Sequence, residues 1–251
     1  MIYKLDGRVK DPADPRDYPI EKLLEKVACL APLPEEYMCI PNPIVLDQGG
    51  TSECVAFAAA GCKDTQQRRQ FKNWDWKLDP HDFYKRCKQI DGIANIPGTY
   101  PRVACGIMKK EGYYRLVAGP SVMEKSLKIT DYYSIKEGDR DESIKQVLIQ
   151  FGPFMVASAW YDSWMLKFNV FPKPDQPGGG HCTRIEGWTP QGWLYVNSWG
   201  KANWGKGGMA VMPYDMFRSV VLPEADCWKL VDDLSDTNEE KPWWPPFPSD
   251  W

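Results

Sequence analysis

The stretch Gln48 to Gly61, QGGTSECVAFAAAG, restricts the possible folds of this chain more than any other. A glycine pair and two hydroxyl residues form a loop that feeds an alanine-rich apolar run. Ala56, Phe57, Ala58, Ala59 and Ala60 favour a buried helix. Thr51 or Ser52 is placed to cap its first turn. Cys54 then sits where the peptide dipoles and unpaired amides turn their positive end, which eases ionisation of a thiol. A lone buried cysteine is more often packing than a nucleophile, so its role rests on what lies downstream.

A chain of 251 residues is long enough for one large domain or two lobes sharing a cleft. Its net charge of -3 and pI of 5.6 give no basic footprint for nucleic acid. Arg68, Arg69, Lys72 and Lys77 are expected at the solvated end of the Cys54 helix. No stretch approaches the roughly 20 apolar residues of a membrane span. The N-terminal MIYKLDGRVKDPADPRDYP lacks the apolar core of a signal peptide, so export by the general secretory route is not expected. The 8 cysteines include no pair at metal-finger spacing, and with only 2 histidines no zinc site or other cofactor is expected. If Cys54 is a free nucleophile, the remaining cysteines cannot all pair, which fits a reducing compartment.

In chain order, Ile20, Leu23, Leu24 and Val27 recur at helical spacing and predict a short amphipathic helix. Prolines at 32, 34, 41 and 43 predict an extended crossing over residues 30 to 46. In LDPHDFYKRCKQIDG, Asp79 caps a helix, Pro80 opens it and Gly92 ends it. His81 falls in the first turn as an exposed histidine without chemistry. GTYPRVACGIMKKEGYY reads as a turn, a short helix and a glycine stop. Short runs rich in Tyr, Val, Ile, Trp and Met follow at 128–135, 153–160, 184–188, 193–197 and 208–212. With one helical interval at 142–149, they predict an antiparallel sheet. Helices first and strands second imply an α+β protein whose ligand cleft lies between two lobes.

Two further segments carry chemistry. GGGHCTRIEGW sets His181 after three glycines and ahead of a strand. LYVNSWGKANWGKGG ends a strand at Asn197, flanked by Trp199 and Trp204. Gln48, Cys54, His181 and Asn197, in that order and with those surroundings, resemble the papain-like cysteine peptidases over roughly residues 40 to 225.

That resemblance implies a two-lobe α+β fold, with a central helix starting at the nucleophile and a C-terminal antiparallel, barrel-like β lobe. It also implies a thiol peptidase that cuts protein or peptide substrates. Cys54 would be the nucleophile, ion-paired with a His181 imidazolium. Asn197 would orient His181 under the shield of Trp199, and Gln48 with the Cys54 amide would hold the oxyanion. Gly98, Thr99, Tyr100, Gly180 and Trp199 would line the substrate groove. Three departures stand out: Thr51 replaces the usual cysteine and so removes its disulfide, and Glu53 and Val55 flank the nucleophile in place of a serine and an aromatic residue. The Trp199 to Trp204 interval is one residue longer than the family pattern, and Cys182 is taken as packing.

The expected division is an N-terminal extension at 1–40 that covers the cleft or braces the lobes, a helical lobe at 41–126, a β-rich lobe at 127–232, and an acidic linker with a Pro/Trp tail at 233–251. The two lobes form one catalytic unit, and the tail docks on its own chain or on a partner. Without leader or disulfide, the expected setting is a microbial or viral protein, cytoplasmic or virion-associated, with no nucleic-acid or membrane partner. Two other classes are compatible with these residues: a thiol amidase or acyltransferase acting on cross-linked cell-wall peptides, and an assembly protein that kept the fold.

Overall fold

A computed structural model of the chain describes residues 3–27, 30–71, 77–113, 115–116 and 127–232. The Pro/Trp tail, Cys29 and Lys72 lie outside the described residues. Helix α1 (Ile20–Leu24) and strand β1 (Tyr37–Met38) precede the long helix α2 (Cys54–Gln70), which begins at the cysteine. Next come β2 (Lys77–Leu78), α3 (Pro80–Ile90), α4 (Pro101–Lys110) and β3 (Arg115–Leu116). Asp79 caps α3 by accepting from the Asp82 amide at 3.0 Å, with Pro80 in the first turn, as the sequence predicts. The C-terminal half supplies β4 (Ile129–Ile135), α5 (Asp141–Phe151), β5 (Phe154–Tyr161), β6 (Pro177–Thr189), β7 (Gly192–Val196), β8 (Met209–Pro213) and β9 (Asp226–Asp232).

These strands form one antiparallel sheet in the order β4-β9-β5-β6-β7-β8, with β1 added beside the far end of β6. The barrel-like closure expected from the sequence does not occur. The end strands β4 and β8 do not pair, and α5 packs over β6 and β9 while α1 packs over α5 and β4, so helices cover that face instead. Strand β9 escaped the sequence reading because its apolar residues are interrupted by Lys229. That lysine is fully buried, and its ammonium donates to the carbonyls of Phe151, Gly152 and Pro153 at 2.6 to 2.8 Å, at the end of α5.

Burial of α2 does not stop where its alanines do. Lys63, Thr65, Gln66 and Gln67 are buried as well, and the sheet satisfies them. Lys63 pairs with Asp232, Thr65 donates to Glu186 at 2.7 Å, Gln66 donates to the Leu230 carbonyl at 2.6 Å, and Gln67 donates to Asp232 at 2.6 Å. The expected solvated basic end is therefore only partly present: Arg68 pairs with Asp64, Arg69 reaches the carbonyls of Leu148 and Ile149, and Lys77 begins β2.

A glycine inside a helix costs about 1 kcal/mol relative to alanine, yet Gly61 interrupts the alanine run of α2. A Cβ there would overlap the guanidinium of Arg184 on β6. That guanidinium is buried, bonded to Glu186 at 2.6 Å and to the Ile44 carbonyl, so it has no room to withdraw. Gly61→Ala should accordingly lower stability by about 2 kcal/mol, because disturbing a buried ion pair costs about 3 kcal/mol or more against the propensity gain. Denaturant unfolding checks this, and a stabilised variant would show that propensity dominates.

Candidate active site

The loop ahead of α2 is stitched to the segment that follows β7. The Gln48 amide donates to the Ser198 carbonyl at 2.8 Å, the Gly200 amide donates to the Leu46 carbonyl at 2.9 Å, and Asp47 bridges Trp199. Gly49, at φ 59°, lets the chain turn while its amide donates to the Asp47 carboxylate at 2.9 Å. Gln48 is buried: its Oε1 accepts from the Ser198 hydroxyl at 2.6 Å and its Nε2 donates to the Thr51 carbonyl at 2.8 Å. The expected cap by Thr51 or Ser52 is absent. Glu53 occupies the cap position without a side-chain bond, and the Thr51 hydroxyl donates back to the Gln48 carbonyl at 2.8 Å, closing the loop on itself.

Across the cleft, His181 lies inside β6 and not ahead of it, because the glycines before it already pair with β5. Its Nε2 is 2.8 Å from Asn197 Oδ1. Oδ1 also accepts from the Ser198 amide at 2.7 Å, so it is the acceptor and Nε2 carries the hydrogen. In a neutral ring Nδ1 then holds the lone pair, which is the tautomer a general base needs. Trp199 stacks on the imidazole at 4.6 Å and 28°, and Trp160 meets it edge-on at 4.8 Å. Trp204, despite the longer interval before it, is buried with its indole donating to the Trp164 carbonyl at 2.8 Å.

Cys54 and His181 are both fully buried. Burial pushes the thiol up to about 12, outweighing the amides of Cys182 and Val55 that favour the thiolate, with Asp6 adding to the rise. Burial likewise pulls His181 down to about 4, opposed by its bond to Asn197. Both shifts favour the neutral thiol and the neutral imidazole, and so run against the ion pair expected from the sequence. Glu53 turns away to His81, whose Nδ1 lies 2.5 Å from its carboxylate, so this histidine has a partner that the sequence did not reveal.

The N-terminal segment lies against the thiol and against neighbours of His181. The Gly180 amide donates to the Leu5 carbonyl at 2.6 Å, the Thr99 amide donates to the Gly7 carbonyl at 3.2 Å, and the Val9 amide donates to the Thr99 carbonyl at 3.1 Å. A methyl group added to Gly7 would come within 2.6 Å of the Cys54 Sγ. Gly98, at φ 79°, faces the Asp6 and Gly7 backbone so closely that a side chain there would collide. Tyr3 stacks on Trp199 at 4.8 Å and donates to its carbonyl at 2.7 Å. Gly98, Thr99, Gly180 and Trp199 thus all meet this segment, whereas Tyr100 serves as the N-cap residue of α4. No local motif announced Leu5 to Val9 as an occupant, because the fit depends on glycines remote in sequence.

The lowered His181 fixes a sign. Stability due to its neutral burial is present above pH 6.5 and is lost as pH falls toward about 4, since the unfolded chain takes up a proton that the folded chain refuses. Over that window the native protein should lose on the order of 3 kcal/mol more than His181→Gln. Parallel denaturant titrations of the two read the difference, and equal slopes would show that His181 titrates normally.

No family model matches the sequence, and neither does any curated protein. Solved structures do. The chain is similar to xylellain, a cysteine protease from Xylella fastidiosa, with TM-score 0.71 and 21% identity over 93% of this chain and 98% of that one. It is similar to procathepsin B S9 from Trypanosoma congolense, with TM-score 0.67 and 16% identity over 87% and 83% of the two chains. It also resembles digestive procathepsin L 3 from the Tenebrio molitor larval midgut, with TM-score 0.66 and 19% identity over 90% and 76%. At such identities the likeness is one of architecture, and the fold of this chain is that of the papain-like cysteine proteases.

Proposed function

We propose that this protein is a cysteine peptidase whose own N-terminal segment occupies its cleft. The observation that carries the reading is the buried His181 Nε2 to Asn197 Oδ1 bond at 2.8 Å, under Trp199 and next to the Cys182 amide that borders the Cys54 thiol. Asn197 holds the tautomer that leaves Nδ1 able to take a proton. With the cleft open to substrate, that proton comes from Cys54 Sγ, and the thiolate attacks the amide carbonyl carbon. The oxyanion that forms is met by the Cys54 amide and by the Nε2 hydrogen of Gln48 not used on Thr51. The C–N bond then breaks as Nδ1 returns its proton to the leaving amine. Water, deprotonated by the same nitrogen, attacks the thioester and releases the acid with the free thiol. All seven described cysteines are free and buried, which supports a reducing compartment as the place of work. Among the described residues no helix is long and apolar enough to cross a membrane.

The test uses full-length protein. Gly7→Val should push the segment off Cys54, speed iodoacetamide labelling of that thiol at least ten-fold and raise hydrolysis of a denatured protein substrate. Adding His181→Ala to the same protein should remove hydrolysis by several orders of magnitude. Hydrolysis that survives the loss of His181 would end the assignment.

Gln48→Ala gives a finer measure. Loss of one oxyanion donor costs roughly a hundred-fold to a thousand-fold in turnover, and the loss belongs to kcat because the charge exists only in the transition state. Steady-state kinetics on the Gly7→Val background measure it, and a change in KM alone would make Gln48 a substrate contact.

A further inference from the structure

Lys88, in the last turn of α3, turns its ammonium into the loop that joins this helix to α4. Its Nζ donates to the carbonyls of Ile93 at 3.0 Å, Ile96 at 2.9 Å and Gly98 at 3.0 Å, and lies 2.8 Å from Asp91 Oδ2. The Asp91 side chain is fully buried and holds the same loop. Its Oδ1 accepts from the Ile93 amide and its Oδ2 from the Thr99 hydroxyl, both at 3.0 Å. One turn earlier in α3, the Tyr84 hydroxyl accepts from the Gly98 amide at 3.1 Å.

The loop has little else to order it. Ile96 is exposed, and glycines at 92 (φ 72°) and 98 (φ 79°) add backbone freedom. The seven described cysteines are free, so no disulfide among the described residues ties the loop down. An ammonium ringed by three carbonyls and a carboxylate therefore does that work, and a neutral side chain of the same length would leave all four acceptors short of a donor.

The consequence falls on Thr99. Both backbone polar groups of Gly98 are taken from the α3 side, by Lys88 and Tyr84. Both of those of Thr99 face the cleft, where its amide donates to the Gly7 carbonyl at 3.2 Å and its carbonyl accepts from the Val9 amide at 3.1 Å. A short edge of this kind, one donor and one acceptor for an extended chain, fails when it shifts by about 1 Å, because both bonds lose their geometry together.

Resting on the peptidase reading above, we propose that Lys88 is the positioning residue of the peptide-binding edge: acting through Gly98 and Asp91, it fixes the Thr99 amide and carbonyl for whichever extended chain lies in the cleft. That chain is the N-terminal segment at rest and the substrate once the segment is lifted. Loss of Lys88 should thus uncover Cys54 and weaken substrate binding at the same time.

The experiment uses Lys88→Met and Lys88→Met/Asp91→Asn. The second variant removes the buried carboxylate that the first would strand, and asparagine can still bond the Ile93 amide and the Thr99 hydroxyl. In full-length protein, iodoacetamide labelling of Cys54 is followed beside that of Cys87 and Cys105, which are buried in α3 and α4. On the Gly7→Val background, where the segment no longer competes, kcat and KM are measured with fluorescent casein. Labelling of Cys54 should be about ten-fold faster while Cys87 and Cys105 stay protected. Casein kcat/KM should fall roughly ten-fold to a hundred-fold, carried by KM, because the edge holds ground state and transition state alike. Cys87 labelled in step with Cys54 in both variants, or a loss carried by kcat, would reduce Lys88 to a structural role and overturn the proposal. Unchanged Cys54 labelling or unchanged KM in the double variant would overturn it too, and leave the peptidase standing. Accelerated Cys54 labelling with no hydrolysis by the Gly7→Val parent would overturn the peptidase reading, and Lys88 would then hold the edge for the N-terminal segment alone.

Discussion

The position of Cys54 depends on how the polar half of α2 is answered by the sheet. A helix buried among apolar side chains alone could slide or rotate, since dispersion and area burial are not directional. The contacts from Lys63 to Asp232, from Thr65 to Glu186 and from Gln66 to the Leu230 carbonyl admit one rotation and one register only. Gly61 beneath Arg184 sets the distance of approach. With α2 clamped in this way, Cys54 at its first turn stands against the Cys182 amide, and so beside His181 on the same strand. Loss of one member of such a network exposes its partners to burial without a bond, which is why the placing of Cys54 beside His181 and the stability of the core are one problem here.

The second constraint is that the β6 glycines serve two surfaces. Gly187 has no room for a side chain because the Tyr37 carbonyl of β1 lies against it, and Gly179 is pressed by the Leu5 backbone in the same manner. One end of the strand is thus thinned to admit β1 and the other to admit the N-terminal segment. His181 sits between the two, packed by Trp160 and Trp199, and among the described residues its ring makes one hydrogen bond, to Asn197.

Much of this was legible in the sequence for identifiable reasons. The Cys54 helix and the helix between Pro101 and Lys110 follow from local propensity, and the Asp79 and Pro80 start of α3 from capping, so they needed no tertiary information. His181 and Asn197 were legible through their glycine and tryptophan surroundings, and the structure brings them into contact. What was not legible depends on distant partners. The buried polar face of α2 looks like a solvated face until β9 is in place, and β9 is disguised by Lys229, whose acceptors are the carbonyls at the end of α5. Glu53 and His81, or Arg8 and Glu224, are ordinary surface charges in sequence and become partners only through the fold.

Tethering changes what the N-terminal segment must achieve. A short linker gives an occupant an effective concentration in the millimolar range, so a segment of very modest intrinsic affinity suffices to keep the cleft filled. The contacts seen are of that order: a few backbone hydrogen bonds to Thr99 and Gly180, the Tyr3 stack on Trp199 and the Arg8 pair. Nothing in them requires the chain to be cut before the segment can lift. Departure also alters the chemistry beneath, because the raised thiol and the lowered imidazole share one cause, burial, to which the segment adds where Gly7 lies against the thiol. Water entering the cleft relieves both penalties together, bringing the thiol down and the imidazole up toward the values at which a proton moves from one to the other. On the peptidase reading proposed above, uncovering and activation of Cys54 are then a single coupled step, and a competing peptide that displaces the segment meets a site already released from burial.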